Sequence, residues 1–363
     1  MNMIKNTLQT PVAFPCGATM KNKFMLAPMT NTQSNVDGTL SDDEFRWLKM
    51  RAEGQFGLVM TCASHVQKIG QGFPGQLGIF SDLHISGHKR LVSEIQSHGS
   101  LAVVQLHHAG MRTPSELIGE APVCPSDHEE TGARGLTLAE VQQLKTDFIA
   151  AALRAKACGY DGVEVHGAHG YILTQFLSSE FNKRTDQYGG SLENRSRLLF
   201  EIVNGIREVC GKEFLLGVRL SPERYGMELL EVKEVCQRFI KENKIDFIDL
   251  SLWDVFKLPE EKEFQNKSLL SHFTELDYKN VLVTVAGKIR NGDEVNKAME
   301  SGIDFVSIGR SAILHHDFPV KVMNDPKFEP VNTPVSPEYL RKEGLGEDFI
   351  TYMRNWKGFV VNS

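Results

Sequence analysis

Short apolar runs alternate with longer amphipathic stretches along nearly the whole chain. Eight of the runs have the length and flanking residues of buried strands: 24–28, 57–62, 102–106, 162–165, 215–220, 247–250, 281–285 and 305–308. The segments between them show helical spacing, and two carry explicit start signals. Ser41 is followed by Glu44 and Thr137 by Glu140, the spacing of a capping box, in which the hydroxyl accepts a backbone N–H and the carboxylate reaches back to the cap.

The joints from helix to strand repeat. Ala157-Cys158-Gly159-Tyr160-Asp161-Gly162-Val163 and Glu300-Ser301-Gly302-Ile303-Asp304-Phe305-Val306 both give a capping glycine, an apolar residue, an aspartate and then the strand. Asn243-Lys244-Ile245-Asp246-Phe247-Ile248 is a third copy, with lysine at the glycine position. Strand, helix and strand joined in this way require parallel strands and a right-handed crossover. Eight such units in succession predict an α/β chain closed into a (β/α)8 TIM barrel. No Pro/Ser/Gly-rich linker or charge block interrupts the alternation. Residues 1–363 are therefore expected to form one domain, with the barrel core at about 21–319 and a C-terminal tail at 320–363.

Excess length over a minimal barrel collects in two places. Residues 111–136, with Pro114, Pro122 and Pro125, follow the third strand, and the polar stretch 178–191 follows the fourth. Both extended loops fall on the carboxyl side of the barrel, where long loops serve as lids or substrate walls. The tail contains Trp356 and Phe359, which are expected to pack on their own barrel or on a second subunit. A homo-oligomer is thus left open.

Composition narrows the function. At 41% hydrophobic and 24% charged residues, the chain has the balance of an ordinary globular protein and needs no disulfide or metal staple. Its net charge is −6 with dispersed basic residues, which argues against nucleic acid or an acidic membrane surface as the main partner. The six cysteines lie far apart without a C-x-x-C pair. They read as reduced thiols of a cytoplasmic protein, with no support for a zinc site or an iron–sulfur cluster. Neither a signal peptide nor an apolar run of membrane-spanning length is evident.

The densest chemistry lies at the end of the fourth strand, where His166, His169 and Tyr171 arrive within six positions, flanked by Gly167 and Gly170. A core strand has no reason to end this way, whereas the carboxyl end of a parallel strand is the usual place for ligand and catalytic groups. A satisfied buried histidine pair or a half-built metal site is the plainer alternative. Other strand ends add Ala27-Pro28-Met29-Thr30, Cys62-Ala63-Ser64, Gln105, Arg219, Gly287 and Gly309-Arg310. Gly287 and Gly309-Arg310, after strands seven and eight, fit the phosphate site that many barrels build there. Gln105 suits the amide edge of a ring, Thr30 a ring carbonyl, and Arg219 the negative charge that appears on reduction. Together these features describe a flat, electron-accepting cofactor with a phosphate tail.

Four segments resemble the Old Yellow Enzyme family: Lys23-Phe24-Met25-Leu26-Ala27-Pro28-Met29-Thr30, Gln105-Leu106-His107-His108-Ala109-Gly110, His166-Gly167-Ala168-His169-Gly170-Tyr171 followed by Gln175-Phe176-Leu177-Ser178, and Asn182-Lys183-Arg184-Thr185-Asp186-Gln187-Tyr188-Gly189-Gly190-Ser191. The resemblance runs from about Lys21 to Pro319. It implies an FMN-containing barrel that takes hydride from NADH or NADPH and passes it to an activated alkene, an α,β-unsaturated carbonyl or nitro compound. It further implies that Ala27, Pro28, Met29, Thr30, Ala63, Gln105, Arg219, Gly287, Gly309 and Arg310 surround FMN. The same resemblance assigns His166 and His169 to the substrate's carbonyl oxygen and Tyr171 to proton delivery. One bacterial branch of that family carries cysteine where Thr30 stands and tyrosine where Thr32 stands. The paired histidines resemble that branch, and Thr30 the yeast and plant branch.

Two other readings compete. A flavin-free lyase or aldolase would bind a sugar phosphate at the same loops, but no lysine suited to a Schiff base stands at an expected strand end. A non-catalytic flavin-binding barrel would have no use for a proton donor such as Tyr171. The His107-His108 pair reads equally as a polar pair under the lid and as part of a substrate site.

Overall fold

The computed structural model describes residues 8–361. Eight parallel strands close into a barrel: β1 (Phe24–Leu26), β2 (Leu58–His65), β3 (Leu101–His107), β4 (Gly162–Gly167), β5 (Leu215–Leu220), β6 (Phe247–Ser251), β7 (Leu282–Ala286) and β8 (Phe305–Ile308). Each strand pairs with its neighbours in sequence, and β8 returns to β1. All eight expected strands are present, their ends within three residues of the expected bounds, and two of the shifts have a visible cause. The first stops at Leu26, before Pro28, which has no N–H to offer a ladder. The second runs on to His65 across an irregularity between Met60 and Ala63.

The barrel helices are α1 (Asp42–Glu53), α2 (Ile85–Ser97), α3 (Leu138–Ala157), α4 (Leu192–Cys210), α5 (Leu229–Glu242), the single turn α6 (Ser271–Thr274), α7 (Gly292–Glu300) and α8 (Phe318–Asn324). Thr137 and Glu140 form the expected reciprocal capping box at the start of α3. At α1 only half of it forms. Ser41 accepts from the Glu44 N–H at 3.0 Å, but the buried Glu44 carboxylate turns inward to Asn31 at 2.9 Å and Ser34 at 3.2 Å.

The repeated joints have a common mechanism. Gly159, Gly302 and Asn243 all take positive φ, at 92°, 90° and 50°, which ends the helix. An aspartate, two residues after each glycine and three after Asn243, then accepts a backbone N–H from the preceding strand. Asp161 takes Ala102 N at 2.7 Å, Asp246 takes Leu216 N at 2.8 Å, and Asp304 takes Val283 N at 2.8 Å. Each carboxylate thereby locks a strand pair in register.

The barrel interior changes character along its axis. At the amino-terminal end, the antiparallel pair Val12–Ala13 and Thr19–Met20 brings in Phe14, whose ring meets Phe247 at 5.9 Å and Phe305 at 5.6 Å. Met25, Leu58, Met60, Val103 and Leu215 complete this dry plug. Two or four residues further along the strands, where the side-chain period of two returns to the axis, stand the buried polar residues Gln105, Glu164, Arg219, Asp249 and Ser307.

The tail packs on its own barrel. Phe349 meets Trp47 edge-on at 4.9 Å, Arg51 donates to Glu343 O at 2.7 Å, and Gly346 N donates to Gln33 at 2.7 Å. Among the described residues no helix is long and apolar enough to cross a membrane, and no cluster of ligating side chains could hold a metal ion. All six cysteines are free.

Candidate active site

A cavity of about 240 Å³ opens at the carboxyl end of the barrel. Of the residues singled out in the sequence, Ala27, Pro28, Met29, Thr30, Arg219, Gly287, Gly309 and Arg310 line it. β1, β5, β7 and β8 thus deliver their terminal residues to one hollow. Trp253, Lys288, Arg290, Tyr352, Met353 and Trp356 line it as well, and the last three come from the tail.

A flat anionic cofactor fits this lining. Arg219 keeps Nε and Nη1 without hydrogen-bond partners, and the Ser307 hydroxyl is equally unpartnered. A Cβ on Gly309 would meet only Met29 Sδ, at 3.6 Å, so the backbone there is open to close approach. Among the rim cations, Arg290 is held by Glu294 at 2.8 Å and Lys288 by Asp254 at 3.3 Å. Arg310 has no carboxylate partner among the described residues and lies over the Trp356 ring at 5.4 Å. An exposed guanidinium at the cavity rim with no carboxylate partner among the described residues is open to an anion.

Beside the cavity stands the imidazole cluster. His166 projects from the end of β4; the chain then turns through His169 at φ 62° and Gly170 at φ 71°. Gly170 is required there, because a Cβ would come within 2.9 Å of the Tyr225 ring. Gln175 ties the turn down, donating to Gly170 O at 2.8 Å and accepting from Met111 N at 3.1 Å. His169 Nδ1 lies 3.2 Å from His166 Nε2, and its Nε2 lies 2.7 Å from Ser251 Oγ. Arg219 reaches the same serine at 3.5 Å, so Ser251 joins the imidazoles to the cavity. The Tyr171 ring packs edge-on against His107 at 4.4 Å, and the Arg112 guanidinium lies 4.8 Å above it. Arg112 also donates to His169 O.

Burial keeps these imidazoles neutral. His166 and His107 are held well below the usual histidine range by desolvation and by neighbouring positive charge, and His169 falls to about 3, with Arg219 and Arg112 adding to its burial. Burial likewise raises the Tyr171 phenol, while Arg112 opposes the rise.

Ala63 and Gln105 sit opposite one another on β2 and β3 and do not line the cavity. The Gln105 amide nitrogen donates to Glu164 at 2.7 Å, and Ala63 O accepts from Gln76 at 2.7 Å. His107 and His108 part company. The first faces His166 and Tyr171, whereas the second is buried behind the strand, accepting from Gly110 N at 3.0 Å. Ser251, Arg112 and the acids Glu164 and Asp249 escaped the sequence reading. The only signal for the two acids was a carboxylate inside an otherwise apolar strand.

A parallel barrel that gathers an arginine, a hydroxyl and an anion cradle in one hollow, with neutral imidazoles and a phenol alongside, has the site of a flavin-dependent oxidoreductase. Comparison with known proteins carries this further. The chain belongs to the NADH:flavin oxidoreductase / NADH oxidase family, the Old Yellow Enzyme family, whose model it matches over residues 7–327. It is 33% identical to a probable NADH-dependent flavin oxidoreductase of Bacillus subtilis over 99% of both chains. With an NADPH dehydrogenase of Bacillus cytotoxicus it shares 34% identity over 86% of this chain and 90% of the relative. It superposes on the old yellow enzyme homologue from Zymomonas mobilis with a TM-score of 0.77 and 26% identity, over 92% of this chain and 96% of the other. The protein is an FMN-dependent NAD(P)H oxidoreductase.

Proposed function

We propose that the protein reduces the C=C bond of an activated alkene, an α,β-unsaturated carbonyl or nitro compound, with reducing equivalents from NADH or NADPH. The supporting observation is the His166–His169 pair. Its facing nitrogens are 3.2 Å apart, so one substrate oxygen could lie within hydrogen-bond reach of both. Two neutral imidazole N–H groups aimed at a single oxygen stabilise the negative charge that develops there when the β-carbon is reduced. In their 3.2 Å contact one of the facing nitrogens accepts from the other; to serve one substrate oxygen both must instead present N–H, which requires the other nitrogen of His169 to accept. The hydroxyl of Ser251, at 2.7 Å from it, can donate and so favours that tautomer.

Tyr171 follows two residues later, and its hydroxyl makes no hydrogen bond among the described residues. A phenol in that position can protonate the α-carbon. FMN, when bound, supplies the ring that accepts and returns hydride. Ala27, Pro28, Met29 and Thr30 would hold that ring from β1, and Arg219 from β5. Gly287, Gly309 and Arg310 would take the phosphate.

Tyr171→Phe tests the reading, because it keeps the ring and removes the acid. Reduction of the flavin by a nicotinamide requires no proton on carbon and is expected to proceed at a near-normal rate. Reoxidation by an enone is expected to slow within the ~100 to 10,000-fold range for loss of a general acid. Equal slowing of both half-reactions in rapid mixing would assign Tyr171 to positioning instead.

A further inference from the structure

Three strands converge on two acids and one base that no step above uses as acids. Glu164 on β4 and Asp249 on β6 are both 0% exposed, and Arg219 on β5 between them is 4% exposed. One cation therefore faces two carboxyls in a space closed below by the apolar plug. The hydrogen bonding is equally lopsided. Gln105 donates to Glu164 Oε1 at 2.7 Å, while Glu164 Oε2 and both oxygens of Asp249 have no donor. Arg219 Nε approaches Asp249 Oδ2 at 3.3 Å but is not aligned for a hydrogen bond. Two ionised carboxyls here would leave one negative charge uncompensated and out of water, a state that buried pairs relieve by keeping a proton on one member.

Geometry says which member. The guanidinium contact belongs to Asp249, whereas among the described residues the only donor to Glu164 is a neutral amide. Burial, and after it the charge of Asp249, pushes Glu164 up to about 8, with Arg219 and Gln105 pulling the other way. Asp249 is also raised by burial, against Arg219. The remaining titratable groups nearby are His107 on β3 and His166 on β4, one layer above and both held neutral. Thr284 and Ser307, on β7 and β8, bring no charge.

We propose that Glu164 is a positioning residue of the redox centre that works as a neutral acid: it holds a proton, fixes the Gln105 amide with its carbonyl oxygen free, and leaves Asp249 as the only counter-charge of Arg219. Arg219 then keeps a share of its positive charge for whatever anion forms in the cavity above. When the pH rises far enough, the Glu164 O–H bond breaks and its proton leaves to water, with nothing oxidised or reduced. The link to redox chemistry rests on the cofactor reading, but the protonation itself does not.

Infrared difference spectroscopy of the FMN-loaded protein, wild type against Glu164→Gln, tests the proton directly. The expected result is a C=O band of a protonated carboxylic acid at neutral pH, shifted in D2O, absent from the variant and titrating away at about pH 8. A band that survives in Glu164→Gln and vanishes in Asp249→Asn would overturn the assignment, as would no band at all. The second measurement requires only the wild type. Its flavin midpoint potential is expected to fall more steeply with pH above about 8, because reduction there draws one extra proton onto Glu164. A present band with an unbroken slope would overturn the coupling and count against the cavity as the cofactor site. An absent band in a yellow, reducible protein would overturn the protonated acid alone.

Discussion

Ser251 Oγ stands 2.7 Å from Nε2 of His169, joining β6 to the turn that follows β4 across the strand between them. A hydroxyl that donates there favours the tautomer with N–H on the nitrogen that faces His166. Ser251→Ala removes the donor and lets His169 choose the other tautomer. Loss of one hydrogen bond worth about 1 kcal/mol corresponds to roughly a five- to tenfold effect. We expect enone-driven reoxidation to slow by that factor, with activity recovered in Ser251→Thr, as followed by stopped-flow absorbance. A variant indistinguishable from wild type would remove Ser251 from the site.

Arg310, above Trp356 on the rim, has no carboxylate partner among the described residues. Its truncation to alanine is expected to weaken FMN binding by about ten- to a hundredfold, the scale of one charge-assisted hydrogen bond. Fluorescence titration of the apoprotein with FMN measures this directly. Full occupancy of Arg310→Ala at low micromolar cofactor would place the phosphate elsewhere.

Glu140 supplies a pH test of stability at a site remote from the chemistry. Arg134, together with the Thr137 backbone N–H, holds its carboxyl down at about 2. Its folded value lies below the unfolded value of about 4.3, so the stabilisation is fully present above that pH and is lost as pH falls through the folded value. Glu140→Gln should therefore cost about 1 kcal/mol at neutral pH, the scale of a lost cap. The gap in urea midpoints should narrow as the pH drops below about 4. A gap independent of pH would mean that the residue acts through packing and not through its charge.

The barrel was legible in the sequence because its signals are local: apolar runs of strand length, and an aspartate at a fixed place in each joint. The reason for that aspartate lay outside any local pattern. Asp161, Asp246 and Asp304 each serve a strand that ended or began tens of residues earlier. Strand ends were legible too, which is why eight of the expected cofactor residues meet in one hollow. What escaped was decided by the direction a side chain faces within a strand. His107 points along the barrel axis and His108 away from it, yet adjacent identical residues carry no mark of that difference. Glu164 and Asp249 look like flaws in apolar strands until the register of neighbouring strands sets them around Arg219. The tail's place on the barrel depends on pairs such as Trp47 with Phe349, which lie some three hundred residues apart in the chain.

That tail has a consequence for how the protein comes into being. Tyr352, Met353 and Trp356 form one wall of the cavity, and they follow the last barrel strand by more than forty residues. A ribosome delivers them after all eight strands, so a nascent barrel could close while the hollow on its upper face still lacked a side. The cavity therefore has all its sides only after that late segment has emerged and packed.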